Sequence, residues 1–132
     1  MLRKCIVSLG LLMSAVAMPA LAAPKEIFLT MSTSGIDFYF EPNQSTVFTN
    51  AFPWQLKATC QVVCDDSVLN SMQAKILKKF GILNDQRLEV NQSMCLDIHD
   101  GDKFSLVAPQ GSKVEIKNTG ASIIKANCFV GG

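Results

Sequence analysis

Histidine is almost absent from this sequence, and so are the motifs on which most small enzymes depend. His99 is the single histidine, although a serine or cysteine nucleophile normally needs a histidine base. The sequence also lacks a Gly-x-Ser-x-Gly elbow and a glycine-rich phosphate loop. We therefore expect a protein that is not an enzyme and that needs no cofactor.

An excess of charge of one sign is absent as well. The chain has 12 Lys and Arg residues against 11 Asp and Glu residues. Two of the basic residues, Arg3 and Lys4, belong to an N-terminal segment that we expect to be removed. Because nucleic-acid binding depends on the neutralisation of many phosphates, the balance excludes general nucleic-acid binding.

Long apolar runs are confined to the N-terminus. Residues 1–22 begin with a basic pair, continue with an apolar stretch too short for a comfortable membrane anchor, and end in Ala-Leu-Ala. This is the pattern of a signal peptide, which we expect to be cleaved after Ala22. Residues 23–132 contain no run long enough to span a bilayer. We expect them to form one β-rich exported domain, periplasmic or secreted, without an integral membrane segment.

Four cysteines follow the predicted signal peptide: Cys60, Cys64, Cys95 and Cys128. An even number in an exported chain favours disulfides, and four cysteines allow three pairings. The spacing Cys-x-x-x-Cys does not fit a thioredoxin-like redox pair, and the isolated positions do not resemble paired zinc knuckles. We expect a Cys60–Cys128 bridge, because both residues face inward in strands of similar local sequence. That choice leaves Cys64–Cys95, a pairing for which strand alternation gives no support.

The stretch from Trp54 to Gly81 predicts one strand followed by one helix. Alternate residues of 54–64 are apolar or cysteine, which indicates a strand with one buried face, Trp54 included. Asp65-Asp66-Ser67 then offers helix-capping side chains. The apolar stripe that follows has spacings of three and four, which predicts an α-helix over residues 66–80 that ends at Gly81; its members are Val68, Leu69, Met72, Ile76, Leu77 and Phe80.

The remainder of the chain reads as short strands separated by turn residues. The clearest pattern is Asp100-Gly101 between two strand-like segments, 94–99 and 102–108, which predicts a tight β-hairpin. The fold class we expect is therefore mainly β: an antiparallel β-sandwich or open barrel with one α-helix, stapled by disulfides. We expect the segments 25–31 and 129–132 at the edges of this sheet structure.

Two groups of residues are candidate functional sites. His99 lies among the carboxylates of Asp97, Asp100 and Asp102, a set that resembles a divalent-cation site only weakly. The spacing fails the calcium-loop pattern, and the tight turn already explains the Asp-Gly pair.

The second group is aromatic. Tyr39, Phe48 and Phe52 lie in predicted loops or on a polar strand face, where aromatic side chains form contact surfaces for proteins or sugars. They are our candidate contact surface.

These features predict a non-catalytic binding or structural protein, an accessory subunit of a bacterial cell-envelope or secretion assembly, with a protein partner in the envelope or outside the cell. Strand addition at an open sheet edge is the expected mode of contact. One alternative is a secreted ligand-binding or inhibitor-like protein that uses the loop aromatics. Another is a small secreted hydrolase or metal-dependent enzyme centred on His99, which requires His99 to lie in a cleft with converging carboxylates.

Overall fold

The computed structural model describes residues 24–132, so the predicted signal peptide and its cleavage site lie outside the described residues. Within that range the chain forms strands and no helix, and hence no helix that could cross a membrane. The strands are β1 (Lys25–Phe28), β2 (Ser32–Phe40), β3 (Ser45–Thr49), β4 (Leu56–Val63), β5 (Asn70–Lys78), β6 (Phe80–Leu83), β7 (Gln86–Glu89), β8 (Ser93–Ile98), β9 (Lys103–Ala108), β10 (Lys113–Asn118) and β11 (Ile124–Gly131).

The strands form two sheets that enclose one apolar core. The five-stranded sheet has the order β1-β3-β10-β5-β8, and the six-stranded sheet has the order β2-β11-β4-β9-β6-β7. Every pairing is antiparallel except that of β1 with β3, which is parallel. The prediction of a mainly β, antiparallel, sandwich-like fold is therefore confirmed.

Strict alternation places the core side chains of β4. Leu56, Ala58, Cys60 and Val62 are buried, while the residues between them are exposed. This agrees with the predicted strand, because successive side chains of a strand point to opposite faces. Trp54 is the exception. It lies before β4 begins and is 48% exposed, so its predicted place in the core is wrong.

The disulfide staple joins neighbouring strands of the six-stranded sheet. Cys60 on β4 lies opposite Cys128 on β11, and the two form a disulfide on the buried face. The predicted Cys60–Cys128 bridge is confirmed. It closes a loop with a sequence separation of 68 residues, which lowers the conformational entropy of the unfolded chain.

The predicted helix over residues 66–80 is wrong, because this segment is mainly β5. Asn70, Met72, Ala74 and Ile76 are buried and alternate with half-buried polar residues. Met72 and Ile76 are four residues apart, a spacing that satisfies both a helical stripe and a strand face. The predicted capping residues instead close a turn, in which the Ser67 N–H donates to Asp65 Oδ1 at 2.9 Å.

The predicted hairpin at Asp100-Gly101 is wrong in its pairing, although the turn itself is present. The Asp102 N–H donates to the His99 carbonyl at 3.0 Å, and Gly101 has a φ of +88°. However, β8 pairs with β5 in one sheet, whereas β9 pairs with β4 and β6 in the other. The turn therefore carries the chain from one sheet to the other.

Of the two segments predicted to lie at sheet edges, one does and the other does not. β1 is an outermost strand, as expected for the N-terminal segment. β11 lies between β2 and β4, so the expectation that the C-terminal strand forms an edge is wrong. The buried alternate residues of β11 explain its interior position.

Two fully buried asparagines fix the loops that connect the sheets. Asn118 Nδ2 donates to the carbonyls of Phe40 and Ser122 at 2.7 and 2.8 Å, and its Oδ1 accepts from the Gly120 N–H. Asn50 does the same after β3, with Nδ2 donating to two carbonyls and Oδ1 accepting a backbone N–H. Because buried polar groups are costly unless they are paired, each asparagine specifies one loop conformation.

Candidate functional site

Two outer strands lie side by side along one flank of the sandwich. β1 is outermost in the five-stranded sheet and β2 is outermost in the six-stranded sheet. A cleft of about 260 Å³ lies between them, and we call this region the β1–β2 flank. Its lining residues are Lys25, Ile27, Asp37, Phe38, Tyr39, Phe40 and Thr46.

The flank leaves more backbone open than the opposite side of the six-stranded sheet. β2 has nine residues and is the longest outer strand of the described chain. β7, at the far edge of the same sheet, has four residues and carries an ion pair between Arg87 and Glu89 at 2.6 Å. Short, charged edge strands discourage pairing with another chain. Of the two outer strands of the six-stranded sheet, β2 is therefore the better place for strand addition.

β1 is attached to the sandwich by one side and by few buried side chains. Within residues 24–132 it pairs only with β3, with Ile27 in register with Phe48 and Phe28 in register with Thr49. Ile27 is half-buried against the core, whereas Phe28 is 60% exposed. The strand thus exposes an apolar side chain, and one of its backbone edges has no partner among the described strands.

Leu29 is the anchor of this segment. Its side chain is 6% exposed and belongs to the core. It also lines an apolar cavity of about 40 Å³ in the core, together with the phenylalanines of β2 and β3. Its backbone N–H donates to the Thr49 carbonyl at 2.9 Å, which continues the contact with β3. The main anchor of β1 is therefore one buried leucine directly after its C-terminal end, with Ile27 packed partly on the core.

A buried hydroxyl without a partner lies at the base of the cleft. Thr46 on β3 is 1% exposed, and its Oγ1 has no hydrogen-bond partner within the described part of the chain. Lys25 of β1 is its register neighbour. Burial of an unpaired hydroxyl costs free energy, so this position is not optimised for the stability of the isolated fold.

Charged side chains lie on both sides of the cleft. Lys25 lies on the β1 side and Asp37 on the β2 side. Asp37 Oδ1 accepts a hydrogen bond of 2.7 Å from the Asn127 amide on β11, which fixes the carboxylate on the outer face of the six-stranded sheet. The mixture of apolar, aromatic and charged lining residues is compatible with a protein-binding surface.

The predicted aromatic contact surface is not assembled as expected. Tyr39 is exposed and lines the cleft, in keeping with its predicted exposure. Phe48 is buried and packs edge-to-face on Phe38, with ring centroids 5.3 Å apart, so its predicted exposure is wrong. Phe52 is half-buried and stacks on Trp54 at 5.4 Å. The three residues therefore do not form one exposed patch.

The residues around His99 are engaged in holding loops. The His99 side chain is 71% exposed, and its Nδ1 lies 3.5 Å from Asp102 Oδ2. Asp102 Oδ2 accepts the His99 N–H, and Asp100 Oδ1 accepts the Cys64 N–H. Asp97 lies on β8, in register with Ser71.

A pocket of about 390 Å³ beside this turn is lined in part by His99, Asp66 and Asp97. Across residues 24–132, however, no group of three or more His, Cys, Asp or Glu side chains is arranged to hold a metal ion. The described residues therefore provide no metal site at this turn, and the His99 side chain itself is exposed.

Cys64 follows β4 and carries a free thiol, so the predicted Cys64–Cys95 bridge is wrong. The two residues belong to different layers, because Cys95 lies on β8 in the five-stranded sheet and its neighbours Met94 and Ile98 point to the core. Partial burial raises the pKa of the Cys64 thiol, and nearby carboxylates, Asp66 foremost, raise it further. The thiol is thereby held in its protonated, less reactive form.

Sequence reasoning missed Leu29, which anchors β1 in the core, and Thr46, whose buried hydroxyl is unpaired in the cleft. The signal for Leu29 was present, because Ile27 and Leu29 alternate in the apolar pattern of a strand. Thr46 gave no signal, since threonine is common in strands on either face. Comparison with known proteins finds no matching family model, no matching curated protein and no matching solved structure.

Proposed function

We propose that this chain is a non-catalytic, periplasmic or secreted binding subunit of a bacterial cell-envelope or secretion assembly, and that it meets its protein partner through the β1–β2 flank. The observation that carries the proposal is β1 itself. Among the described strands it is paired along one edge and free along the other, it exposes Phe28, and the buried Leu29 follows it directly.

Strand addition supplies affinity through main-chain hydrogen bonds and specificity through pockets for alternate side chains. The flank offers both elements. Its two outer strands provide backbone groups that have no partner among the described strands, and the cleft between them is lined by aromatic and apolar side chains together with Lys25 and Asp37. A protein segment in an extended conformation is the chemistry that this combination suits.

Site-specific photo-cross-linking tests the proposal in the native cells. The photoreactive residue p-benzoylphenylalanine replaces Phe28 on the flank or Val90 beyond β7, both of which are exposed. We expect a discrete cross-linked product with an envelope or exported protein from position 28 and none from position 90. Equal labelling from both positions, or none from position 28, would refute the assignment of the flank.

A second candidate function is suggested by the stacked pair of Phe52 and Trp54. Their rings lie 30° from parallel, and Trp54 is 48% exposed. A flat exposed aromatic surface of this kind can contact a sugar ring or an apolar protein surface. Binding of soluble oligosaccharides that is lost in Trp54→Ala and kept in Tyr39→Ala would favour this function; absence of binding in the unaltered protein would dismiss it.

A further inference from the structure

The connection between β1 and β2 is short and exposed. Leu29 ends the buried part of the N-terminal segment, and β2 begins at Ser32 in the other sheet. Thr30 and Met31 are both exposed and alone span the step between the sheets. A short connection of this kind needs only a local change of backbone angles to release the segment before it, and short hinge loops favour exchange of the segment between copies.

Release of residues 25–29 would leave a defined vacancy. The edge of β3 from Thr46 to Thr49 would lose its ladder partner, and the core position of Leu29 would open. An apolar groove beside an unpaired strand edge is a template for another strand. The segment known to fit this groove is residues 25–29, because in the folded chain it already occupies it.

On the basis of the proposed function, we propose that the partner at this flank includes a second copy of the chain, and that residues 25–29 are exchanged between copies. In the exchanged form, β1 of one copy pairs in parallel with β3 of the next, and its Leu29 fills the next copy's core. Every contact of the segment is kept, because the donor and the resident segment are identical. Only the angle at Thr30 and Met31 changes, together with the loss of free motion on association.

The register gives a direct test of this exchange. Phe28 lies opposite Thr49, and parallel partners point to the same face of the sheet. Phe28→Cys and Thr49→Cys are placed in separate chains, each with Cys64→Ser to remove the free thiol. The two proteins are mixed at high concentration, oxidised, digested and analysed by mass spectrometry. Since neither chain carries both new cysteines, a disulfide between positions 28 and 49 must join two copies.

We expect the 28–49 disulfide in the mixture and no disulfide between positions 28 and 90 in a matched mixture with Val90→Cys. We also expect the double variant Phe28→Cys/Thr49→Cys, oxidised at low concentration to lock β1 in its own chain, to lose the concentration-dependent association of the unlocked protein. If either cysteine variant fails to fold, Glu26→Cys and Val47→Cys form the next pair in register.

Absence of the 28–49 disulfide, or unchanged association of the locked protein, would overturn self-exchange. The photo-cross-linking experiment separates this failure from that of the proposed function. A product with a different protein from position 28 would keep the flank as a binding surface while removing the second copy as the partner. Absence of any product from position 28 would refute both.

Discussion

The substitution Leu29→Ala should weaken the attachment of β1, and the loss of global stability that results should have an upper limit. The change removes three carbon atoms from a side chain that is 6% exposed, which corresponds to about 2.4 kcal/mol at about 0.8 kcal/mol per buried CH₂ group. A residual cavity would add to this loss. The position can relax, however, because β1 is an outer strand with solvent on one side.

The upper limit on the loss of global stability is set by the state in which β1 is undocked and the rest of the chain is folded. Leu29→Ala raises the free energy of the fold with β1 docked, relative to both the undocked and the unfolded chain. Once docking is no longer favourable, β1 is released and no further stability is lost. Because the ordering of five residues offsets most of the gain from burial and hydrogen bonds, we expect a docking free energy of a few kcal/mol. The loss of global stability should therefore lie at about 2–3 kcal/mol.

Two measurements check this reasoning together. Urea unfolding gives the change in global stability, and native-state hydrogen exchange of the Leu29 amide, which donates to the Thr49 carbonyl, reports the release of β1. We expect that amide to lose most of its protection in Leu29→Ala, while amides of β4 keep protection close to the global limit. The substitution Thr30→Ala, at an exposed neighbour, should change neither quantity.

Leu56→Ala serves as the comparison within the core. Leu56 is fully buried on an interior strand, so no local release can limit its effect, and the loss should fall at about 3–5 kcal/mol. If Leu29→Ala costs as much, and the Leu29 amide exchanges only by global unfolding, β1 is an integral part of the fold. Release of β1 independently of global unfolding would then be refuted.

Four further predictions concern stability and reactivity. Asn118→Ala removes three side-chain hydrogen bonds and should cost about 2–4 kcal/mol in urea unfolding; a loss below about 1 kcal/mol would contradict the role of this residue. Thr46→Val removes the unpartnered hydroxyl at nearly constant shape and should raise the free energy of unfolding by about 1 kcal/mol, whereas a loss would reveal a hidden partner. Replacement of both Cys60 and Cys128 by Ala should cost about 4 kcal/mol, given the sequence separation of 68 residues; unchanged thermal stability would exclude the bridge as a staple. The rate of alkylation of Cys64 should rise with pH at a higher midpoint than that of the unfolded chain, because the folded pKa is raised, and a midpoint at or below the unfolded one would contradict the acidic surroundings.

The spacing of apolar residues predicts β4 correctly and β5 wrongly, and the two outcomes have the same cause. In β4 the apolar residues alternate without interruption, so only a strand buries them all. In β5 the largest buried residues, Met72 and Ile76, are four apart, and the small Ala74 between them carries little weight in a pattern. Tertiary packing against β8 and β10 decides the conformation, and no local pattern contains that information.

The connection at Asp100-Gly101 shows a second limit of prediction from local sequence: a turn can be predicted without the pairing of the strands beside it. A tight turn with a glycine at positive φ is compatible with a hairpin and equally with a step between two sheets. Which one forms depends on whether the flanking strands find better partners elsewhere. Here β8 pairs with β5 and β9 with β4, so the local signal for the turn was correct and the inferred pairing was wrong. In the same way β11, at the end of the chain, lies in the sheet interior because it finds two partners, β2 and β4.

The docking free energy of β1 also determines whether exchange between copies is feasible. If the docking free energy is about 3 kcal/mol, fewer than about 1% of the molecules have β1 undocked, because about 1.4 kcal/mol changes the ratio of the two forms tenfold. That fraction is small enough to keep monomers closed when dilute, yet large enough for copies to meet with their segments released. A docking free energy near that of global unfolding would instead confine exchange to unfolded chains. The hydrogen exchange of the Leu29 amide thus measures the property on which the proposed exchange depends, independently of any partner.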